Sequence, residues 1–200
     1  MKLLVLGHPR SGSTTVQLYL SRLLGLTNNR EALLPAGGFT PEYWQHLDDV
    51  MAQTHSITKI FPEHLEAIPG NKKLKINQYI KDVDHCVFVV RKDFNAAVKS
   101  LYISAMLLRD HALTYHEPPG QSMQLYFDEK LYNNTVKRLK FNLTTLANWH
   151  NKRTDKFVNK TFLYSEEVYA LAGTGKLDKQ VTVDLPEQTF DVGTLFEVDK

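Results

Sequence analysis

The chain has 200 residues, a single cysteine and a formal net charge of +2, from 24 Lys and Arg against 22 Asp and Glu. That length suits one domain with a substantial core, so residues 1–200 are read as a single domain. The near balance of charge gives no bulk signal for nucleic acid or an anionic membrane, so any basic site must be local. Cys86, alone and inside an apolar run, rules out a disulfide framework within the chain.

The first element is a continuous apolar run, Leu3 to Leu6, expected to be a buried parallel strand. It stops at Gly7, and a turn rich in small and hydroxyl residues follows, Gly7-His8-Pro9-Arg10-Ser11-Gly12-Ser13-Thr14-Thr15. Val16, Leu20, Leu23 and Leu24 then recur at helical spacing, with Gly25 as the stop. Strand, loop and helix in this order make an anion cradle. Free N–H groups of the loop and first helical turn converge, with the positive end of the helix dipole behind them. Arg10 adds a planar charge suited to phosphate or sulfate oxygens. The ATPase form of such a loop needs Gly-x-x-x-x-Gly-Lys-Ser/Thr. Gly7 and Gly12 have that spacing, but Ser13 stands where the lysine should be.

Residues 27–31 read as a polar turn and 33–41, with Pro35, Gly37, Gly38 and Pro41, as a loop. Residues 41–53 read as a helix with Pro41 near its start and an apolar side of Tyr43, Trp44, Leu47, Val50 and Met51. Ile57 to Phe61 reads as a short strand ended by Pro62. Glu63 to Ile68 makes one helical turn or two. Lys72, Lys73 and Lys75 form a small basic cluster before Ile76–Val83, read as a solvated face. His85 to Val90 is the strongest strand, with Arg91 at its C-terminal end. The apolar spacing from Phe94 to Leu108 predicts a helix over 93–110 capped by Asp93. Residues 111–121, containing Pro118-Pro119-Gly120, are a loop. A long helical pattern covers 122–153, with a break near Asn133-Asn134 and a stripe of Leu139, Leu143, Leu146 and Trp149. Thr161 to Tyr164 is a third core strand, Gly173 to Lys176 a turn, and the last twenty residues an edge strand or a loose tail. No internal repeat, linker or low-complexity tract is present. Strands alternating with helices predict an α/β fold, a parallel sheet flanked by helices, with ligands beyond the C-terminal strand ends.

No apolar run is long enough to span a bilayer. Leu3–Leu6 is too short for a secretory signal, and the expectation is a reducing, cytoplasmic setting. The Asn-x-Thr sequons at Asn133, Asn142 and Asn159 are accordingly read as chance matches.

The loop Gly7-His8-Pro9-Arg10-Ser11-Gly12-Ser13-Thr14 resembles the 5′-phosphosulfate loop of PAPS-dependent sulfotransferases. It looks most like the Pro-Arg-Ser-Gly-Ser/Thr form of the tyrosylprotein and bacterial carbohydrate enzymes. The resemblance implies a P-loop-like sulfotransferase fold. It also implies that Pro9, Arg10, Ser11, Gly12, Ser13, Thr14 and Thr15 hold the phosphosulfate of PAPS (3′-phosphoadenosine 5′-phosphosulfate), and of PAP after transfer. Val89 to Tyr102 resembles the family's 3′-phosphate motif, where a strand-end arginine precedes a helical serine by eight residues. Here the usual proline is absent, and Ser100 lies nine residues after Arg91 and eight after Lys92. Arg91 with Ser100 is the preferred assignment, with Lys92 as the alternative.

Ser56 to Pro62 is similar to the family strand whose lysine, here Lys59, offsets charge growing on the bridging oxygen. Phe61 stands where cytosolic members carry a catalytic histidine. Glu31, just past the first helix, matches the place of the catalytic glutamate in enzymes with the Pro-Arg-Ser-Gly loop; His8, His55 and His64 are the rival bases. The catalytic set is therefore Glu31, Lys59 and Arg10. Phe162 to Val168 resembles the family's Tyr-Glu-Asp-Leu segment, whose role is architectural. The C-terminal Arg-Lys-Gly segment of the cytosolic members is not found here, and Gly173 to Lys176 is a weak substitute for it.

No metal is expected, because the histidines lack ligand spacing with cysteine or acid. The acceptor is a hydroxyl of a sugar, a tyrosine or a small molecule. Two other classes remain open: a P-loop kinase, which would need Mg²⁺ and the missing lysine, and a degenerate PAP-binding module without turnover.

Overall fold

The computed structural model describes residues 1–33, 39–109, 123–151, 159–167 and 181–196. The expected loops at 33–41 and 111–121, the ends of the helices predicted over 93–110 and 122–153, and the turn at 173–176 fall wholly or partly outside these residues.

Five strands form one all-parallel sheet in the order β2-β3-β1-β4-β6. They are β1 (Lys2–Gly7), β2 (Thr27–Asn28), β3 (Ser56–Ile60), β4 (His85–Val90) and β6 (Lys160–Tyr164). The helices between them are α1 (Ser13–Leu24), α2 (Pro41–Ala52), α3 (Pro62–Ala67), α4 (Gly70–Lys81), α5 (Phe94–Arg109) and α6 (Glu129–Asn151). A separate pair, β5 (Met123–Gln124) and β7 (Val181–Thr182), is also parallel. The chain is thus an α/β protein, with its longest apolar runs, β1 and β4, paired at the middle of the sheet. Among the described residues no helix is long and apolar enough to cross a membrane.

The two sheet faces are covered unequally. Leu4, Leu6, Ile60, Cys86, Phe88 and Val90 join residues of α2, α4, α5 and α6 in the larger core. Leu3, Val5, Ile57, Val87 and Val89 face the other way, and among the described residues the helix packed on them is α1, through Val16 and the partly buried Leu20. Alternation along each strand produces this division. It places α1, which follows β1, and α5, which follows β4, on opposite faces of neighbouring strands. A crevice at the C-terminal ends of β1 and β4 follows, as at any such switch point.

Several expectations are corrected. Leu23 and Leu24 do not join the buried stripe of α1; Leu23 is 63% exposed, and the buried partners of Val16 are Ser13 and Gln17. Residues 27–28 are a strand rather than a turn, held by Thr27 N–H on the His55 carbonyl and Asn29 N–H on that of Ile57. The lysines at 72, 73 and 75 do lie on a solvated face, and the stretch that carries them is a helix, α4, whose other side buries Ile76, Tyr79 and Ile80. Pro62 does not merely end β3; it opens α3, where its missing N–H costs nothing. The α6 helix runs unbroken through Asn133-Asn134 and starts at Glu129, later than expected. Asn142, one of the sequon residues, is fully buried and serves as a structural amide against Glu63 and the Arg138 carbonyl.

Candidate functional site

The loop between β1 and α1 is shaped by close approach and by positive φ. A Cβ on Gly7 would lie 2.7 Å from Ser11 Oγ and 2.9 Å from Ser13 Cβ, so the loop folds back directly over this residue. Arg10 has φ 65° and Gly12, the N-cap of α1, has φ 76°. Glycine adopts that region freely; an arginine there is strained by about 1–2 kcal/mol and must be held by its surroundings. Ser11 N–H closes the turn on the His8 carbonyl at 3.0 Å, and the Thr15 and Val16 amides turn inward to the Gly12 carbonyl. The expected cradle of amides from Ser11 to Thr15 is therefore narrower. Among the described residues the amides of Gly12, Ser13 and Thr14 have no acceptor. Ser11 Oγ is buried beneath the loop and has no partner among the described residues.

Lys59 and Glu31 meet beside this loop. Lys59 is 3% exposed, and its Nζ lies 2.6 Å from Glu31 Oε1 and donates to Thr14 Oγ1 at 2.6 Å. It rises from β3 on the face of Ile57, beneath the N-terminal turn of α1. Its Nζ also stands 5.2 Å from the centre of the Phe61 ring. Phe61 thus borders the lysine in the place where a histidine was the family expectation.

Glu31 is delivered by the chain just past β2. Asn28 Oδ1 accepts from Arg30 N–H at 2.9 Å, a side-chain turn that accommodates Arg30 at φ 50°. The Arg30 carbonyl then accepts from Lys59 N–H at 2.9 Å and from Gln17 Nε2 at 3.1 Å. Gln17 also donates to the Ile57 carbonyl. It ties α1, the Glu31 turn and β3 together, a role its polar identity at a helical position did not signal.

The rival bases separate. His55 precedes β3, at the end of the sheet remote from the loop and from Lys59. His64 is nearly buried in α3, its Nδ1 accepting from Phe61 N–H, and burial lowers its pKa against the raising influence of Glu31 and Glu63. Glu63 itself is gripped by Arg138 through two hydrogen bonds of 2.6 Å. His8 is wholly buried. Its Nδ1–H donates to the Pro9 carbonyl at 2.8 Å, and its Nε2 accepts from Arg91 N–H at 3.1 Å. Both partners have fixed roles, so the ring is the neutral Nδ1–H tautomer. Burial, joined by the Arg91 charge, lowers its pKa to about 4, although the Pro9 carbonyl works the other way. With both nitrogens engaged, His8 is not placed to act as a base.

The second arm lies at the end of β4. Among the described residues the buried Arg91 Nε has no partner. Lys92 and Asp93 turn their amides onto the Glu166 carboxylate at 3.0–3.2 Å, and Lys92 Nζ lies over the Tyr164 ring. Asp93 Oδ1 caps α5 by accepting from Ala96 N–H, as its position predicts. Ser100 Oγ, one helical stretch further on, accepts from Arg10 Nε at 2.8 Å. Arg10 thus reaches across the switch-point crevice and joins the loop of β1 to the helix after β4.

The structure accordingly gathers the sequence-predicted residues into two linked groups, Glu31–Lys59–Thr14 and Arg10–Ser100 with Arg91 beside His8. Among the described residues no cluster of three or more His, Cys, Asp or Glu side chains could hold a metal ion. No protein-family model matches the chain, and a search of curated proteins finds no match.

Proposed function

We propose that the chain is a sulfotransferase with a P-loop-like sulfotransferase fold, which moves the sulfuryl group of PAPS to an acceptor hydroxyl and releases PAP. The observation that carries the reading is the Lys59 ammonium held between Glu31 and Thr14. It brings a base and a cation to the head of an anion loop that lacks the ATPase lysine. The residues fit the nucleotide. Three amides without acceptors among the described residues and a helix N-terminus suit a 5′-phosphosulfate, while Arg91 Nε, buried at the end of β4 without a partner among the described residues, suits a 3′-phosphate.

PAPS supplies a sulfuryl group on its 5′-phosphate. Arg10 and the amides of Gly12 to Thr14 orient that end. Arg91 and Ser100 hold the other. Glu31 takes the proton of the acceptor hydroxyl as the oxygen attacks, and Lys59 with Arg10 offsets the charge left on the departing phosphate oxygen. Positioning and fixed charge carry most of the rate, as in phosphoryl transfer. The acceptor is a sugar, tyrosine or small-molecule hydroxyl.

Calorimetric titration with PAP, set beside ATP plus Mg²⁺, tests the reading. PAP is expected to bind, with binding lost in Arg10→Ala and weakened in Arg91→Ala. Binding of ATP with Mg²⁺ but not PAP would replace the sulfotransferase reading with a kinase one. PAP binding without turnover across a hydroxyl-acceptor panel would leave a PAP-binding module.

A further inference from the structure

The geometry points to His8 as a positioning residue that clasps the two phosphate-holding arms into one unit, so that an anion on the loop favours an anion at the end of β4. The inference rests on the nucleotide reading above and adds a residue to which that reading gives no role. His8 sits at the root of the loop, entirely shielded from solvent. Its Nδ1–H fixes the Pro9 carbonyl, the peptide immediately before Arg10, whose φ of 65° needs outside support. Its Nε2 takes the Arg91 amide, the peptide that begins the β4 arm. One imidazole therefore holds the backbone of both arginines across the switch point. The side-chain bridge from Arg10 to Ser100 runs parallel to it.

Only the Nδ1–H neutral form does this. The other tautomer would set two donors against each other at Arg91 and two acceptors at Pro9, and the imidazolium would keep the Pro9 bond but set its Nε2–H against the Arg91 N–H, beside the Arg91 charge. The charged groups around the ring are Arg91, Glu166 and Glu63. An aromatic replacement would fill the space without either bond. Asparagine can imitate the Nδ1–H but falls short of the Arg91 amide, and glutamine can place a carbonyl oxygen where Nε2 lies.

Two measurements test the clasp. The first uses the ligand-free protein. Long-range ¹H–¹⁵N NMR is expected to show His8 as the Nδ1–H tautomer, with a slowly exchanging Arg91 amide. An Nε2–H ring, or an Arg91 amide that exchanges freely, would overturn the proposal, and this result does not depend on any nucleotide. The second compares calorimetric affinities for PAP, 5′-AMP and 3′-AMP. In His8→Asn the advantage of PAP over 5′-AMP is expected to fall about 10-fold, within the usual range of site-to-site coupling, while 5′-AMP binding changes little. His8→Gln keeps the Arg91 bond but gives up the Pro9 bond, so that advantage is expected to fall there as well. Equal PAP-to-5′-AMP ratios in the wild type and both variants would overturn the clasp. A wild type that binds none of the three ligands would instead overturn the nucleotide reading, leaving the NMR result to decide the clasp alone.

Discussion

Glu31 and Lys59 come from separate stretches of chain, and nothing in the local pattern of either announces the other. Lys59 is legible as a cation inside a β-branched strand, and Glu31 only as an acid in a polar turn. Their contact depends on Asn28, Arg30 and Gln17, which bend the chain after β2 back over β3. The sequence reading therefore found the two groups through family resemblance, and the structure supplies their geometry. A buried ammonium needs a partner, and Glu31 provides one at 2.6 Å. Glu31→Gln keeps an oxygen for the lysine but removes the proton acceptor. Turnover with PAPS is expected to fall about 10²–10⁴-fold while PAP affinity stays within a few-fold of wild type. Turnover close to wild type would remove Glu31 as the base.

Elements were legible where periodicity is unmixed. Continuous apolar runs marked β1 and β4 correctly, and Asp93 marked the start of α5. Elements were less legible where polar residues interrupt the pattern. The α4 helix buries Ile76, Tyr79 and Ile80 at spacings of three and four, but its lysines dominate the pattern. In α1 the apolar stripe misled, because Leu23 and Leu24 lie beyond the part of the sheet that the helix covers, while Gln17 is buried for its hydrogen bonds. Gln17→Leu tests this account of α1. It keeps volume and apolar burial but takes one donor from the Ile57 carbonyl, which keeps Asn29 N–H, and one from the Arg30 carbonyl, which keeps Lys59 N–H. Urea unfolding should show a loss of about 1–3 kcal/mol. A neutral or stabilising result would mean that the glutamine is an incidental core polar group rather than the tie between helix, turn and strand.

At the scale of the whole molecule the switch point was foreseeable from strand–helix alternation, but its locking was not, because a histidine in a loop reads equally as ligand, base or spacer. Its burial couples the site to global stability through protons. His8 is neutral in the fold with a pKa near 4, against 6.5 for the ordinary side chain, and burial is the main cause. The unfolded chain therefore takes up a proton below pH 6.5 that the folded chain refuses until about pH 4. The stabilisation from His8 is complete above the higher value and is lost as pH falls through that interval, at up to about 1.4 kcal/mol per pH unit. The lowered pKa of His64 acts in the same direction. Glu63 follows at lower pH. Burial works to raise its pKa, but the Arg138 hydrogen bonds and charge, with Asn142, bring it below the usual carboxylate value. Its stabilisation is present at neutral pH and is lost on acidification. Urea midpoints are thus expected to be level above pH 7 and to fall steadily from pH 6.5 towards 4, and His8→Gln should flatten part of that slope because it removes one of the protons taken up. A wild-type midpoint that stays level across the interval, or a slope that His8→Gln leaves intact, would mean that the histidine is not held neutral and that the loop and the β4 arm are locked by the Arg10–Ser100 bridge alone.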